Sequence, residues 1–496
     1  MKTYSKREFL KMMGLGVAFM PFISCFGNSN NNQAAAPGLT KDKEHPEDPK
    51  SGSATPDDIT KAAPGDVILL TRSDAAYASF NTAFNARVKK MPKYIALCKT
   101  PKGVQMAVAF AKQQKLPTAV KSGGHSFEGF SSNDGGLVIN VSQMKKITWT
   151  ANNMVTIEPG CLLEEIQAAL FAKKQLIPSG SCGTVGIAGL TLGGGYGFFS
   201  RKYGLTCDSL QALDIVAGDG KTYHSSGKEE LLWACKGGGN GNFGVVTQFQ
   251  FKTQPMPATF TSIVLKFRNL NTDHFYTVLS QWFETTPKLA PEDFSAFVLN
   301  GSTLTILCTT YGNNNNLERN IQALTGIADT VNKSMNQNLP QAMKRYYGRK
   351  GPILFKNASA GLYKDFGDIK AIATQIFNSV VQNKGLIYQI NTLGGNINNT
   401  DFEQGSCYPH RALPYLSELQ AYWENPAQEA KLLKAFQGIQ ELILAAGITA
   451  QYRNYPDINF KNWQQAYYGQ HYAKLQTIKG QYDPENLFQY PQSITL

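Results

Sequence analysis

The sequence predicts an α+β fold of two main domains, and three observations carry that prediction. Between residues 60 and 255, short β-branched runs alternate with helical ones around glycine-rich turns. Between 256 and 445 the helical runs lengthen and separate strands such as Thr303 to Thr309 and Leu386 to Asn391, which marks a second domain. Residues 26–59, rich in Asn, Ser, Ala, Pro, Lys and Asp, hold almost no large apolar side chains and predict a flexible linker outside both cores. A chain of 496 residues is long enough for each domain to bury its own core.

The elements follow in order. Residues 1–25 read as an export signal: Ser5-Lys-Arg-Glu-Phe-Leu-Lys11 resembles a twin-arginine pattern with Lys6 in place of the first arginine, and an apolar run from Met12 to Ser24 follows. That run is too short to span a bilayer, which takes about 20 residues. Phe22-Ile-Ser-Cys25 resembles a lipoprotein cleavage box, so a lipid anchor at Cys25 and simple cleavage are both open, as are the twin-arginine and general secretion routes. An exported protein at the periplasm or cell surface is expected, with Cys25 its one route to a membrane. In the first domain, Lys93 to Leu97, Thr118 to Lys121, Gly136 to Val141, Ala212 to Ala217 and Val245 to Lys252 read as strands, and Val104 to Gln114 and Leu162 to Lys173 as helices. In the second, Asn316 to Asn338 and Pro426 to Ala446 read as long helices. No internal repeat is present.

The formal charge is +12, of which the first 25 residues carry +3. The remaining Lys and Arg are scattered rather than striped, which argues against nucleic acid as a partner. Eight cysteines (25, 98, 161, 182, 207, 235, 308 and 407) form no CxxC or Cys/His cluster, so no metal site is expected.

Chemistry concentrates in two glycine-rich loops, Ser122-Gly-Gly-His-Ser126 and Gly180-Ser-Cys-Gly-Thr-Val-Gly186, which set His125 and Cys182 57 positions apart. Glycine lets a backbone lie close against a planar ligand. Successive N–H groups at Ser122, Gly123, Gly124 and Ser126 form a nest suited to a pyrophosphate, and the run from Gly186 through Gly189 to Gly197 offers a second permissive surface. Gly239-Asn-Gly-Asn-Phe-Gly244 satisfies GxGxxG, but a helix-like run precedes it and a strand-like run follows, the reverse of the dinucleotide-binding order.

With these loops in this order, the chain from about residue 60 onward resembles the FAD-linked oxidases that include berberine bridge enzyme and the bicovalent oligosaccharide oxidases. The resemblance implies a PCMH-type, vanillyl-alcohol-oxidase-like FAD-binding domain at 60–255. It further implies a substrate domain at 256–445 with an antiparallel sheet backed by helices, and a C-terminal segment at 446–496 that returns to the FAD domain. Tyr482-Asp-Pro-Glu-Asn-Leu-Phe488 and Gln492-Ser-Ile494 match the family's C-terminal signature. By resemblance, His125 attaches to the flavin 8α-methyl carbon and Cys182 to C6, while backbone near Val246 contacts FAD. Two bonds fix the ring and raise its potential, the protein's usual contribution to a cofactor.

Tyr452-Arg-Asn-Tyr-Pro-Asp457 matches the family's Tyr-x-Asn-Tyr-x-Asp motif. That match implies Tyr455 as the base that takes a substrate hydroxyl proton, with Asn454 at the cofactor and Tyr452 at the substrate. A free tyrosine ionises near about 10, so a neighbour must assist it. Sugar oxidases of the family set an aspartate there; the equivalent here is Asn391, which can orient a phenol but cannot accept its proton as a carboxylate would. Gln389 and Asn391 share one strand face and suit sugar hydroxyls, and Phe127 replaces a tyrosine found in several relatives. Val185, three residues after Cys182, implies oxygen access to the flavin. Tyr408-Pro-His-Arg411 reads as structural.

The resemblance thus implies an exported monomeric oxidase that takes hydride from an alcohol, foremost the anomeric hydroxyl of a mono- or oligosaccharide, giving a lactone while oxygen becomes hydrogen peroxide. Three alternatives stay open: a dehydrogenase with another acceptor, an oxidase of non-sugar alcohols, and a carbohydrate-binding lipoprotein without activity.

Overall fold

The computed structural model describes Ile59 and residues 65–496. The expected export signal, Cys25 and, apart from Ile59, the expected linker lie outside the described residues.

The fold opens with a four-stranded sheet of β1 (Val67–Leu70), β2 (Tyr94–Cys98), β3 (Thr118–Lys121) and β4 (Leu137–Asn140), ordered β1-β2-β4-β3. β1 runs antiparallel to β2, while β2, β4 and β3 are parallel. Parallel neighbours need a crossover, and α1 (Pro101–Gln113) supplies it between β2 and β3. Pro101 suits its first turn, Thr100 accepts a hydrogen bond from the Gly103 N–H as N-cap, and Val104, Ala107, Val108 and Ala111 form its buried stripe.

A second, antiparallel sheet follows: β5 (Ile147–Thr150), β6 (Met154–Ile157), β8 (Leu210–Ala217), β9 (Thr222–Ser226) and β10 (Gly244–Lys252), ordered β5-β6-β10-β8-β9. A short ribbon pairs β7 (Gln175–Leu176) with β11 (Gln254–Pro255). Two helices belong to this layer, α2 (Leu163–Ala172) and the short α3 (Ile187–Leu192), which starts directly after Gly186. The GxGxxG run lies between a helix at Glu230–Cys235 and β10, the reverse of a dinucleotide-binding unit.

The third sheet has seven antiparallel strands: β12 (Thr259–Phe267), β13 (Asp293–Asn300), β14 (Thr303–Thr310), β15 (Thr330–Asn338), β16 (Phe355–Tyr363), β17 (Leu386–Thr392) and β18 (Tyr415–Tyr422), ordered β15-β12-β14-β13-β17-β18-β16. Alternation sorts its side chains. Ala358, Ala360, Tyr388, Ile390, Leu419 and Ala421 join the core beneath α4 (Thr272–Thr285), α5 (Ala373–Gln382) and α6 (Glu429–Ala445). Asn357, Gln389, Asn391 and Glu418 therefore take the opposite face. An α+β protein with an antiparallel sheet backed by helices is what the sequence predicts.

One predicted element is corrected. The run 316–338 is not one helix: short helices at Asn314–Asn320 and Gln322–Ile327 give way to β15. Thr330 and Val331 are β-branched, and the free edge of β12 pairs with this segment from Thr330 to Asn338.

After α6 the chain packs against the first two sheets. Trp463, Tyr467, Leu475 and Ile478 share a core with Phe249 and Leu231, and Phe488 joins the core of α1. α7 (Tyr472–Tyr482) is tied down by Lys479, whose buried ammonium donates to Asp483 Oδ2 at 2.6 Å and to the carbonyls of Asn242 and Phe488 at 2.6 and 2.7 Å.

Candidate active site

A cleft of about 1670 Å³, counting its open mouth, separates the polar face of the seven-stranded sheet from the glycine loops. The loop after β3 brings Ser122, Gly123, Gly124, His125, Ser126 and Phe127 to its wall; the loop before α3 brings Cys182, Val185 and Gly186, and α3 itself brings Gly189. The two loops are pressed together. A Cβ on Gly123 would lie 2.4 Å from the Gly186 nitrogen, and one on Gly186 would lie 2.6 Å from the Gly123 nitrogen, so both positions require glycine. Gly124, at φ +72°, makes the left-handed bend that turns His125 inward.

His125 stacks on Phe84, centroids 4.0 Å apart and planes 18° apart. Its Nε2 is 3.0 Å from Thr184 Oγ1, and Cys182 Sγ is 3.8 Å from the same oxygen. Burial pulls the imidazole down to about 4, so the ring is neutral near pH 7. The Ser122 hydroxyl donates to the Pro159 carbonyl, and the Ser126 hydroxyl accepts from the Phe130 N–H, which leaves loop backbone rather than these side chains for a ligand. Asn240 Nδ2 bridges the Gly189 carbonyl and Asn454 Oδ1, while Asn240 Oδ1 is buried without a hydrogen-bond partner at the cleft. Close-packed glycine backbone, a neutral imidazole, a nearby thiol and an orphaned amide oxygen fit a planar redox cofactor with a phosphate tail.

Val246 pairs with Ile215 in the second sheet and its side chain is buried in that sheet's core, while Asn240 and Gly241 of the same block line the cleft. Asn454 lines the cleft as a clip, donating to the Leu190 carbonyl. Tyr452 also lines it, its hydroxyl accepting from the Gly195 N–H at 2.8 Å and from Asn454 Nδ2 at 3.1 Å.

Tyr455 stands over the cleft against Phe127, rings 5.2 Å apart and 15° from parallel. Its hydroxyl donates to Tyr196 Oη at 3.0 Å, and Asn391 Nδ2 donates to that oxygen at 3.1 Å. Asn391 therefore orients Tyr196, and reaches Tyr455 only through it. Gln389 lies behind Asn391, donating to its Oδ1 at 2.7 Å, and neither residue lines the cleft. Glu418 does. It is the one carboxyl among the lining residues, fully buried, with Oε1 3.4 Å from Asn357 Nδ2 and Oε2 without a partner. Burial lifts it well above the usual carboxylate range, and burial likewise pushes both Tyr455 and Tyr196 up, with the Glu418 charge adding to each.

Sequence reasoning missed Tyr196, Glu418, Asn357 and Thr184. Tyr196 sits inside the quoted glycine run; Glu418 faces Gln389 in the β17–β18 register, which no local pattern reveals. A further hub lies beneath: Lys356 bonds Glu128, beside Phe127, and Asp457 Oδ1 at 2.8 Å, two residues from Tyr455, with all three side chains nearly excluded from solvent. Arg411 pairs with buried Asp208 at 2.6 Å, a structural contact.

Among the described residues no helix is long and apolar enough to cross a membrane, and no cluster of three His, Cys, Asp or Glu could hold a metal ion.

Comparison with known proteins matches residues 92–226 to an FAD binding domain and residues 451–495 to a berberine and berberine-like domain. An uncharacterised FAD-linked oxidoreductase of Bacillus subtilis is 30% identical over 445 residues, covering 86% of this chain and 97% of that one. A chitooligosaccharide oxidase of Gibberella zeae is 26% identical over 457 residues, covering 83% and 89%. The solved xylooligosaccharide oxidase of Myceliophthora thermophila, in complex with xylobiose, superposes with a TM-score of 0.78 at 25% identity, covering 89% and 99%.

Proposed function

Because this chain belongs to the FAD-linked oxidoreductases that join an FAD-binding domain to a berberine-like C-terminal segment, we propose that it oxidises the anomeric hydroxyl of a mono- or oligosaccharide to a lactone. Bound FAD supplies the two-electron acceptor, held through His125 and Cys182. Molecular oxygen then takes the electrons as hydrogen peroxide, a step for which Val185 at the cleft wall leaves access. Export is part of this reading, through residues 1–25, with Cys25 lipidated or removed.

The observation that carries the substrate class is the set of orphaned atoms. Besides Asn240 Oδ1, two buried side-chain atoms at the cleft lining lack a partner: Asn357 Oδ1, an acceptor, and Glu418 Oε2, on a carboxyl that burial holds protonated and so able to donate. Unpaired buried polar atoms are costly unless a ligand satisfies them, and a polyhydroxylated ring offers both donors and acceptors. The sugar substrates named for two of the relatives support the same class.

Tyr455, in its ionised form, is the base that takes the hydroxyl proton onto its own oxygen, and the contact with Tyr196 Oη at 3.0 Å orients it. Asn391 holds Tyr196 in place. Glu418, the one carboxyl in the lining, is held protonated by burial and serves as a hydrogen-bonding group rather than a proton acceptor. Phe127 keeps the phenol of Tyr455 in plane and water away from that wall.

The test is anaerobic mixing with a panel of mono- and oligosaccharides, followed by flavin bleaching, then peroxide detection on admitting oxygen. Tyr455→Phe is expected to slow bleaching at least about 100-fold, the scale of a general base; bleaching at the wild-type rate removes Tyr455 from that role. Bleaching by simple alcohols but by no sugar refutes the substrate class.

A further inference from the structure

Thr184 touches both side chains that the proposed covalent attachment uses. Its Oγ1 lies 3.0 Å from His125 Nε2 and 3.8 Å from Cys182 Sγ, so one hydroxyl joins an imidazole on the first loop to a thiol on the second. The two loops meet at the close Gly123–Gly186 approach, and a Cβ on Gly123 would lie 3.3 Å from the Thr184 carbonyl, so the trio sits where the loop backbones are in contact. A hydroxyl has one proton to give and two lone pairs to offer. It can therefore accept from an imidazole N–H and donate to a sulfur at the same time, which neither valine nor alanine can do.

We infer that Thr184 is the positioning residue shared by both attachments: it engages Nε2 of His125, leaving Nδ1 as the nitrogen that faces the ligand, and supports the Cys182 thiolate with its own proton. The inference rests on the reading that FAD is held through His125 and Cys182.

The attachments balance as two oxidative substitutions. At His125, an N–C bond replaces one C–H bond of the 8α-methyl group; at Cys182, an S–C bond replaces the C6–H bond. Each releases two electrons and two protons, which molecular oxygen takes up as one hydrogen peroxide. Thr184 adds no atom to either product. It sets which nitrogen is available, and it lowers the cost of the thiolate, which is the reactive form of cysteine.

A half-buried Thr184 also accounts for an arrangement otherwise unexplained. His125 is neutral when buried and needs one fixed tautomer to present a lone pair. Phe84 fixes the ring plane but not the tautomer; Thr184 supplies hydrogen bonds to the ring, from its backbone and, at 3.0 Å from Nε2, from its hydroxyl, and only the hydroxyl also reaches Cys182.

The experiment uses the full chain produced aerobically as wild type, Thr184→Val and Thr184→Ser. The flavin retained after denaturation is measured, and it is mapped by mass to the His125 and Cys182 peptides; melting temperature and flavin bound before denaturation are recorded alongside. The expected result is flavin on both peptides in wild type and Thr184→Ser. In Thr184→Val, flavin still binds, but the doubly linked fraction falls at least about tenfold, with the Cys182 link lost first. Thr184→Val doubly linked to the wild-type extent overturns the inference, as does failure of Thr184→Ser to restore linkage in a folded protein. If Thr184→Val does not fold, Thr184→Ala, which adds no bulk, is read by the same criteria. Wild type that releases all its flavin overturns the attachment reading itself and this inference with it, an outcome distinct from linked wild type with a linked Thr184→Val.

Discussion

Lys356→Met probes whether the cleft is held together electrostatically. The lysine ammonium lies between Glu128 and Asp457, with Asp457 Oδ1 at 2.8 Å, and the three side chains are 5%, 9% and 1% exposed. Glu128 follows Phe127 in the histidine loop, Lys356 precedes Asn357 on β16, and Asp457 closes the Tyr455 motif, so one cation joins three walls of the site. Methionine keeps an aliphatic stem but removes the charge, including the ammonium that lies 5.6 Å from the Phe436 ring centroid. Two carboxylates then remain buried, with the Ile458 and Asn459 N–H groups and Gln440 as their remaining donors. Breaking a buried pair by removing one partner costs about 3–5 kcal/mol, a large share of the roughly 5–15 kcal/mol that holds a protein folded. For a cooperative unit of this size the shift is about 1 °C per kcal/mol, so the melting temperature should fall by roughly 3–6 °C. Calorimetry with flavin absorbance as a second probe measures it, and Lys356→Arg, which keeps the charge, should recover part of the loss. A Lys356→Met protein melting within about 1 °C of wild type would refute the argument that this cation offsets two buried carboxylates.

Two further substitutions test separate parts of the site. Glu418→Gln removes a carboxyl that burial lifts well above its ordinary value of 4.5. A raised carboxyl loses native stability as pH climbs from the unfolded value through the folded one. The variant should therefore match wild type near pH 4 and become the more stable protein toward neutral pH in denaturant titrations, while its turnover falls. Equal stability at both pH values would count against a buried, protonated Glu418. Val185→Leu adds bulk at the cleft wall where oxygen is read to approach. Reoxidation by oxygen should slow while anaerobic reduction by substrate is unchanged, in double-mixing stopped flow; a slowed reductive step instead would assign Val185 to substrate binding.

The physical reason some of this was legible in the chain is locality. His125 and Cys182 stand in glycine loops whose backbone freedom is a property of their own few residues, and the structure sets both loops at one cleft. Alternation likewise puts Gln389 and Asn391 on one face of β17. What alternation omits is depth: Tyr196, from a distant glycine run, occupies the layer between Asn391 and Tyr455. Glu418 became visible only with the register that sets it opposite Gln389. The run from Thr330 to Asn338 shows a different failure. Its Asn, Lys and Gln residues carry no period of either kind, and the strand exists because β12 has an edge to pair.

The central claim is that His125 and Cys182 together hold FAD. Its most direct test is the absorption spectrum and intact mass of the purified protein before and after acid denaturation, with peptide mapping. The account predicts a yellow protein that keeps the mass of one FAD after denaturation, on a cross-link containing both the His125 and the Cys182 peptides. A colourless chain at its unmodified mass, with all flavin in the supernatant, would contradict it.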